Sequence, residues 1–148
     1  MEIEKKYLIK NLPPDLNGFN FKQIEQAYIS FEPVIRIRKS DNEFYLTVKG
    51  KGHLAREEFE IKISGDEYCN LLKKTEGLII SKKRYIIPLD NNLRIELDIF
   101  ENDLKGLIVA EVEFNTIAES EIFIKPEWFG DDITFDPSYK NNNLAKSK

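Results

Sequence analysis

Charged and apolar residues alternate through most of this chain, beginning at its N-terminus. In Met1-Glu2-Ile3-Glu4-Lys5-Lys6 the residues Glu2, Glu4 and Lys6 fall two apart, while Ile3 and Tyr7 take the positions between. Side chains at that spacing share one face of a β-strand, so two carboxylates and an ammonium project together. The pattern then returns. Ala27, Ile29 and Phe31 oppose Gln26, Tyr28 and Ser30 in 23–31, and Ile35 and Ile37 oppose Arg36 and Arg38 in 34–39. Phe44, Leu46 and Val48 oppose Tyr45, Thr47 and Lys49 in 44–49; Phe59, Ile61 and Ile63 oppose Arg56, Glu58, Glu60 and Lys62 in 56–63. Tyr85 and Ile87 oppose Lys82 and Arg84 in 78–88, and Leu93, Ile95, Leu97 and Ile99 oppose Arg94, Glu96 and Asp98 in 93–100. The last run, 107–115, sets Ile108, Ala110, Val112 and Phe114 against Glu111 and Glu113.

Turn-forming stretches separate these runs: Ser40-Asp41-Asn42-Glu43, Gly50-Lys51-Gly52 and Asp90-Asn91-Asn92. Residues 10–20 read as loop. Ser64-Gly65-Asp66 predicts a capped helix over 67–76 with Tyr68, Leu71 and Leu72 as its apolar stripe and Gly77 at its end. Shorter helical pieces are expected over 116–123 and 139–146, with Pro126-Glu127-Trp128-Phe129-Gly130 as a compact turn. The sum is a mainly β (α+β) fold, an antiparallel meander of about eight strands that closes into a barrel with a few helices packed outside.

Closure turns one face inward. An ordinary barrel places its apolar side chains inside. Here long apolar residues occupy nearly every other position, more than a narrow interior holds, and helices need an apolar sheet face to cover. The charged face therefore lines the lumen. So many ions cost several kcal/mol each to desolvate unless they are hydrated, paired or liganded, which makes the lumen a wet ligand site. Its carboxylates suit a divalent cation bound through hard oxygen ligands, and its arginines and lysines suit a run of phosphates. A metal-bound oligophosphate satisfies both.

Composition narrows the classes. The chain has 148 residues, 41% hydrophobic and 32% charged, with a net charge of −4. That length suits one domain over 1–148 with a real core, and the acidic balance argues against a surface for duplex nucleic acid. Cys69 is the single cysteine and His53 the single histidine, so neither a disulfide framework nor a zinc site is expected. Cys69, next to Tyr68, reads as a buried thiol and His53 as a loop residue. No apolar run approaches membrane length and no targeting segment is visible, which points to a cytoplasmic protein with no membrane partner.

The ordered motifs resemble the CYTH superfamily of triphosphate tunnel metalloenzymes. Glu2-Ile3-Glu4-Lys5-Lys6 is similar to the family's Glu-x-Glu-x-Lys strand. The likeness continues through Ile35-Arg36-Ile37-Arg38, Leu46-Thr47-Val48-Lys49, Glu58-Phe59-Glu60-Ile61-Lys62, Lys82-Lys83-Arg84-Tyr85, Glu96-Leu97-Asp98-Ile99-Phe100 and Ala110-Glu111-Val112-Glu113-Phe114, reaching the Pro126–Gly130 turn and Thr134. The family fold is an eight-stranded antiparallel tunnel with a charged lumen, in line with the pattern read above.

The resemblance also implies roles. Glu2, Glu4, Glu111 and Glu113 would hold Mg²⁺ or Mn²⁺, with Asp98 joining them. Lys6, Arg36, Arg38, Lys49, Lys62, Lys82 and Arg84 would cradle a triphosphate. Glu4, Lys6, Glu60 and Asp98 would take part in catalysis, Glu60 by orienting Lys62 or a water; no residue stands out as a general base. The implied activity is metal-dependent hydrolysis of inorganic triphosphate, and of nucleoside triphosphates less well. A class IV-type adenylyl cyclase and a non-catalytic polyphosphate-binding module are the alternatives. The tripolyphosphatase-like members are the nearest in pattern, because the chain starts at the motif and lacks the residues that precede it in the cyclases. Finally, the outward apolar positions exceed what a few short helices cover, which predicts a homodimer.

Overall fold

The computed structural model describes residues 1–146. Ten strands form one antiparallel sheet: β1 (Glu2–Ile9), β2 (Phe21–Ser30), β3 (Val34–Ser40), β4 (Glu43–Lys49), β5 (Ala55–Arg56), β6 (Glu58–Ile63), β7 (Glu76–Pro88), β8 (Arg94–Phe100), β9 (Ile108–Phe114) and β10 (Phe129–Asp132). Three short helices accompany them: α1 (Gly65–Leu72), α2 (Ile117–Ile122) and α3 (Asn141–Lys146). The sheet order is β10-β1-β9-β8-β7-β2-β3-β4-β6, with β5 paired to β1.

Two expectations are corrected here. The sheet has ten strands instead of eight, and it is not closed. The count rises because the run 56–63 breaks at Glu57, sending Ala55–Arg56 to β1 while Glu58–Ile63 stays on β4, and because the Phe129–Asp132 end of the compact turn pairs with β1. Closure fails for the same reason. β5 offers only Glu2↔Arg56 and Ile3↔Ala55, β10 takes the far end of β1, and β6 keeps one edge unpaired.

Helix α1 also starts and stops earlier than expected. Ser64 accepts from the Glu67 amide while the Glu67 carboxylate accepts from the Ser64 amide, a capping box that sets the first turn. The helix ends at Leu72, and Gly77 falls within β7 at φ 73. A side chain there would collide with the Ala145 carbonyl and lie 2.9 Å from the Phe31 ring, so glycine is what lets α3 seat on β7. Cys69 is exposed, not buried, because it sits about 100° around α1 from Tyr68, the buried anchor of the stripe.

Three apolar clusters hold the sheet. Ile3, Tyr7, Ile95, Leu97, Ala110 and Val112 pack on the outer face beneath Phe123 and Trp128. Ala27 and Ile37 pack under Tyr68 of α1. The third cluster lies on the opposite face of the sheet: Tyr28, Ile80, Phe100 and Val109 share the register of the charged residues and meet Leu144 and Ala145 of α3. The inward face is therefore charged along most of its length and apolar at one end, where α3 seals it.

Candidate functional site

The inward face of the sheet encloses a cavity of about 160 Å³. Strand register explains its lining. Glu2, Glu4 and Lys6 of β1 stand beside Glu111 and Glu113 of β9 through the pairs Glu4↔Glu113 and Lys6↔Glu111. Arg36 and Arg38 of β3 and Lys49 of β4 enter from the other wall, Arg84 of β7 from the floor, and Glu60 of β6 from the open side. Ten of the thirteen residues singled out from sequence thus meet in one cavity: Glu2, Glu4, Lys6, Arg36, Arg38, Lys49, Glu60, Arg84, Glu111 and Glu113.

The other three lie elsewhere. Asp98 is 2% exposed and accepts from Arg84 Nε at 2.7 Å and Nη2 at 2.8 Å. Lys82 Nζ is 2.8 Å from the same carboxylate and fully buried. These two sit behind Arg84 and do not line the cavity. Lys62 projects to solvent and donates to Glu43 at 2.8 Å.

Charge inside the cavity is unevenly matched. Lys49 bridges Glu2 at 3.0 Å and Glu58 at 3.4 Å, and Glu111 receives Lys6 at 3.4 Å and Arg84 at 3.2 Å. Burial raises the Glu111 pKa, but Lys6, Arg84, Lys82 and Lys49 outweigh it and hold the carboxyl well below the usual range. Glu4 is the opposite case. Burial, then Glu111 and Glu2, push it up to about 8, against weaker pulls from Lys49 and Lys6. Glu113 is raised by burial and by Glu2, Glu96 and Glu58. The cations are stressed too: burial, with Arg36 and Arg84 nearby, pushes Arg38 down to about 9. Arg38 Nε donates to Gln26 Oε1 at 2.8 Å, leaving Gln26 Nε2 and Arg36 Nε as buried donors with no hydrogen-bond partner.

Unmet donors on one wall call for an anion, and raised carboxylates on the other call for a cation. Among the described residues no three His, Cys, Asp or Glu side chains are already gathered as a metal site. The donor chemistry nevertheless fits a hard divalent cation, because Glu4 and Glu113 face the cavity as oxygen ligands, and such an ion would relieve the repulsion that Glu111 and Glu2 exert on Glu4 and that Glu2, Glu96 and Glu58 exert on Glu113.

Two lining residues escaped the sequence reading: Asn141 and Asn142 arrive from α3, whose docking no local pattern announces. Tyr28 and Arg56, which alternation sets on the polar face, do line the cavity, Tyr28 from β2 and Arg56 through β5, while Gln26 in the same register as Tyr28 is fully buried. Thr134 orders the first strand: its hydroxyl accepts from the Lys6 amide at 3.0 Å, while Lys6 Nζ donates to the Tyr139 carbonyl at 3.0 Å.

Comparison with known proteins agrees with this geometry. The CYTH domain matches residues 1–139. The inorganic triphosphatase of Nitrosomonas europaea is 35% identical over 147 residues, covering 99% of this chain and 97% of that protein. The inorganic triphosphatase of Acetivibrio thermocellus is 33% identical over 156 residues, covering 99% and 94%. The crystal structure of the inorganic triphosphatase NE1496 superposes with a TM-score of 0.74 at 32% identity, covering 100% of this chain and 96% of that one. With its charged inward face built on the Glu-x-Glu-x-Lys strand and the match spanning nearly its whole length, the chain belongs to the CYTH family.

Proposed function

We propose that this protein hydrolyses inorganic triphosphate to pyrophosphate and phosphate within the charged cavity, with Mg²⁺ or Mn²⁺ as cofactor and nucleoside triphosphates as poorer substrates. One observation carries the reading. The cavity sets Arg36, Arg38, Lys49 and Arg84 opposite Glu2, Glu4, Glu111 and Glu113, so a phosphate chain and a divalent cation can be held side by side. The relatives that span the chain are inorganic triphosphatases, which supports the same chemistry.

Lys6, Arg36, Arg38, Lys49 and Arg84 bind the phosphates, arginine through paired donors and lysine as a point charge. Arg38 and Arg36 serve best, since an anion would relieve the buried, lowered charge of Arg38 and give the unpartnered Nε of Arg36 an acceptor. Glu2, Glu4, Glu111 and Glu113 hold the metal. When bound, that ion supplies charge neutralisation at the phosphates and a more acidic coordinated water. Asp98 and Lys82 contribute from behind, by fixing the Arg84 fork. Glu60, bonded to the Thr47 hydroxyl at 2.7 Å and 3.7 Å from Arg36, orients the β3–β4 wall. Lys62, paired with Glu43 in solvent, has no part in holding the phosphates. The electrostatic part of the catalysis is preorganised: the cations stand in place before charge shifts to the leaving oxygen. A cytoplasmic setting and a homodimer complete the proposal.

The test is phosphate release from inorganic triphosphate and from ATP, each with Mg²⁺, with Mn²⁺ and with chelator. Metal-dependent phosphate release, faster from triphosphate, is expected. Cyclic AMP as the main product from ATP would replace the reading with a cyclase, and tight binding without any product would replace it with a binding module.

A further inference from the structure

The unpaired edge of β6 is the longest exposed edge in the sheet. Its six residues, Glu58-Phe59-Glu60-Ile61-Lys62-Ile63, include no proline. Natural sheets blunt such an edge by shortness, bulges, proline or charge; of these β6 carries only charge, in Glu58, Glu60 and Lys62, and its two signs can pair with each other across a twofold axis. The other strands that end the pairing have only four residues in β10 and two in β5. The apolar face of β6 is open as well. Helix α1 covers Ile63, but Phe59 is 63% exposed and Ile61 42% exposed.

The backbone limits what can pair there. The Gly50 amide donates to the Glu57 carbonyl at 2.8 Å, and the ladder runs on through Val48↔Phe59, Leu46↔Ile61 and Phe44↔Ile63. In an antiparallel ladder the bonded residues alternate, so 57, 59, 61 and 63 turn their amides and carbonyls to β4. Glu58, Glu60 and Lys62 turn theirs outward. A new strand must bond to these residues and keep the apolar face continuous, which excludes any register shifted by a single residue.

We infer that β6 pairs antiparallel with β6 of a second copy of this chain, with Ile61 facing Ile61 across a twofold axis. In that register Glu60 of each copy stands opposite Lys62 of the other, and Phe59 stands opposite Ile63. Every outward-pointing backbone group at 60 and 62 gains a partner, two opposite charges meet across the strands, and the exposed apolar face becomes continuous. The neighbouring register centred on Glu60 satisfies the backbone equally and pairs Glu58 with Lys62, but it sets Glu60 against Glu60 at the axis, a like-charge contact that the Ile61-centred register avoids. The chain's own side chains select the register, which makes the partner a second copy of the same sequence.

Sedimentation of the full chain at micromolar concentration tests this. Dimer is expected for the wild type, and monomer for Ile61→Arg and for Lys62→Glu. Adding Glu60→Lys to Lys62→Glu restores opposite charges across the Ile61-centred register, so the double variant should dimerise again. It would not do so in the Glu60-centred register, where the two introduced lysines face each other and each introduced glutamate meets Glu58. Hydrogen exchange on the unaltered protein supplies a readout independent of any variant's folding. The amides of Glu60 and Lys62 should gain at least tenfold protection as concentration rises into the dimeric range. A monomeric wild type, a dimer that survives both single variants, failure of the folded double variant to dimerise, or unprotected 60 and 62 amides in the dimer would each overturn the inference.

Discussion

Glu4 is the residue on which metal and proton compete. Its carboxyl, pushed up to about 8 by burial and by Glu111 and Glu2, carries a proton at neutral pH in the metal-free protein. A raised folded pKa means the folded state holds more protons than the unfolded chain between the ordinary value and 8. That contribution to stability is complete below the unfolded pKa and is lost as pH rises through the folded one. The metal-free protein should therefore lose stability between about pH 4.5 and 8 through this group, and Glu4→Gln should flatten that slope while abolishing metal-dependent hydrolysis. Thermal melts with chelator across that range, beside phosphate release, check both parts. Arg38 makes the complementary case. Replacing it with alanine removes a charge-assisted phosphate contact worth about 1.5–3 kcal/mol, roughly a ten- to hundredfold loss in kcat/KM for triphosphate. Steady-state kinetics reads this directly; an unchanged kcat/KM would remove Arg38 from the phosphate site. The face each of these residues occupies was legible in the sequence, because period-two alternation fixes it. The partners were not. That Asp98 is consumed by Arg84 and Lys82 depends on the β7–β8 register, which alternation leaves undetermined.

At the scale of elements, the β7–β8 ladder and α3 fix the floor and the end of the cavity. Arg84↔Asp98 are cross-strand partners, and Asp98 also takes Lys82. Asp98→Asn leaves two buried cations with one neutral partner, and loss of one member of a buried ion pair destabilises by about 3–5 kcal/mol. A fall in Tm on the order of 10 °C is expected. A melt within a degree or two of wild type would show that solvent already compensates these charges. Helix α3 acts through packing. Leu144, 9% exposed, sits against Tyr28, Ile80 and Phe100, so Leu144→Ala should cost about 2–3 kcal/mol, the lower part of the range for core leucines. Urea unfolding measures it, and a loss below half a kilocalorie would mean that α3 is not part of the cooperative unit. The strands β1 to β4 and β7 to β9 follow from alternation and turn residues. Alternation missed β10 because Phe129-Gly130-Asp131-Asp132 has one apolar residue and a glycine. It missed the break between β5 and β6 because Arg56 to Ile63 alternates without interruption although the chain changes partner at Glu57. Partner choice is a long-range property that local pattern does not encode.

For the whole molecule, the open sheet and the charged cavity are linked through ligand binding. Without a ligand, the two walls carry opposite unmet demands: the raised carboxyls of Glu4 on β1 and Glu113 on β9, and the lowered Arg38 and unpartnered Arg36 Nε on β3. Few contacts join β1 to the β4–β6 end of the sheet among the described residues. They include the two-residue pairing of β5 with β1, the Glu4 amide donating to the Leu54 carbonyl at 2.9 Å, the Lys49–Glu2 contact at 3.0 Å and the Arg56–Glu2 contact at 4.0 Å. A ligand that binds only the folded chain stabilises it by an amount set by its concentration relative to Kd, about 2.7 kcal/mol at a hundredfold excess. Mg²⁺ or Mn²⁺ at such an excess should therefore raise Tm by several degrees. The metal must displace the Glu4 proton, so apparent affinity should rise as pH approaches 8, and a fixed metal concentration should raise Tm more at pH 8 than at pH 6. Glu4→Gln should remove the pH dependence along with most of the shift. Differential scanning calorimetry at two pH values, with and without metal, decides it. A Tm increase of equal size at both pH values, retained in Glu4→Gln, would mean that the cation binds elsewhere on this acidic chain and that Glu4 is not its ligand.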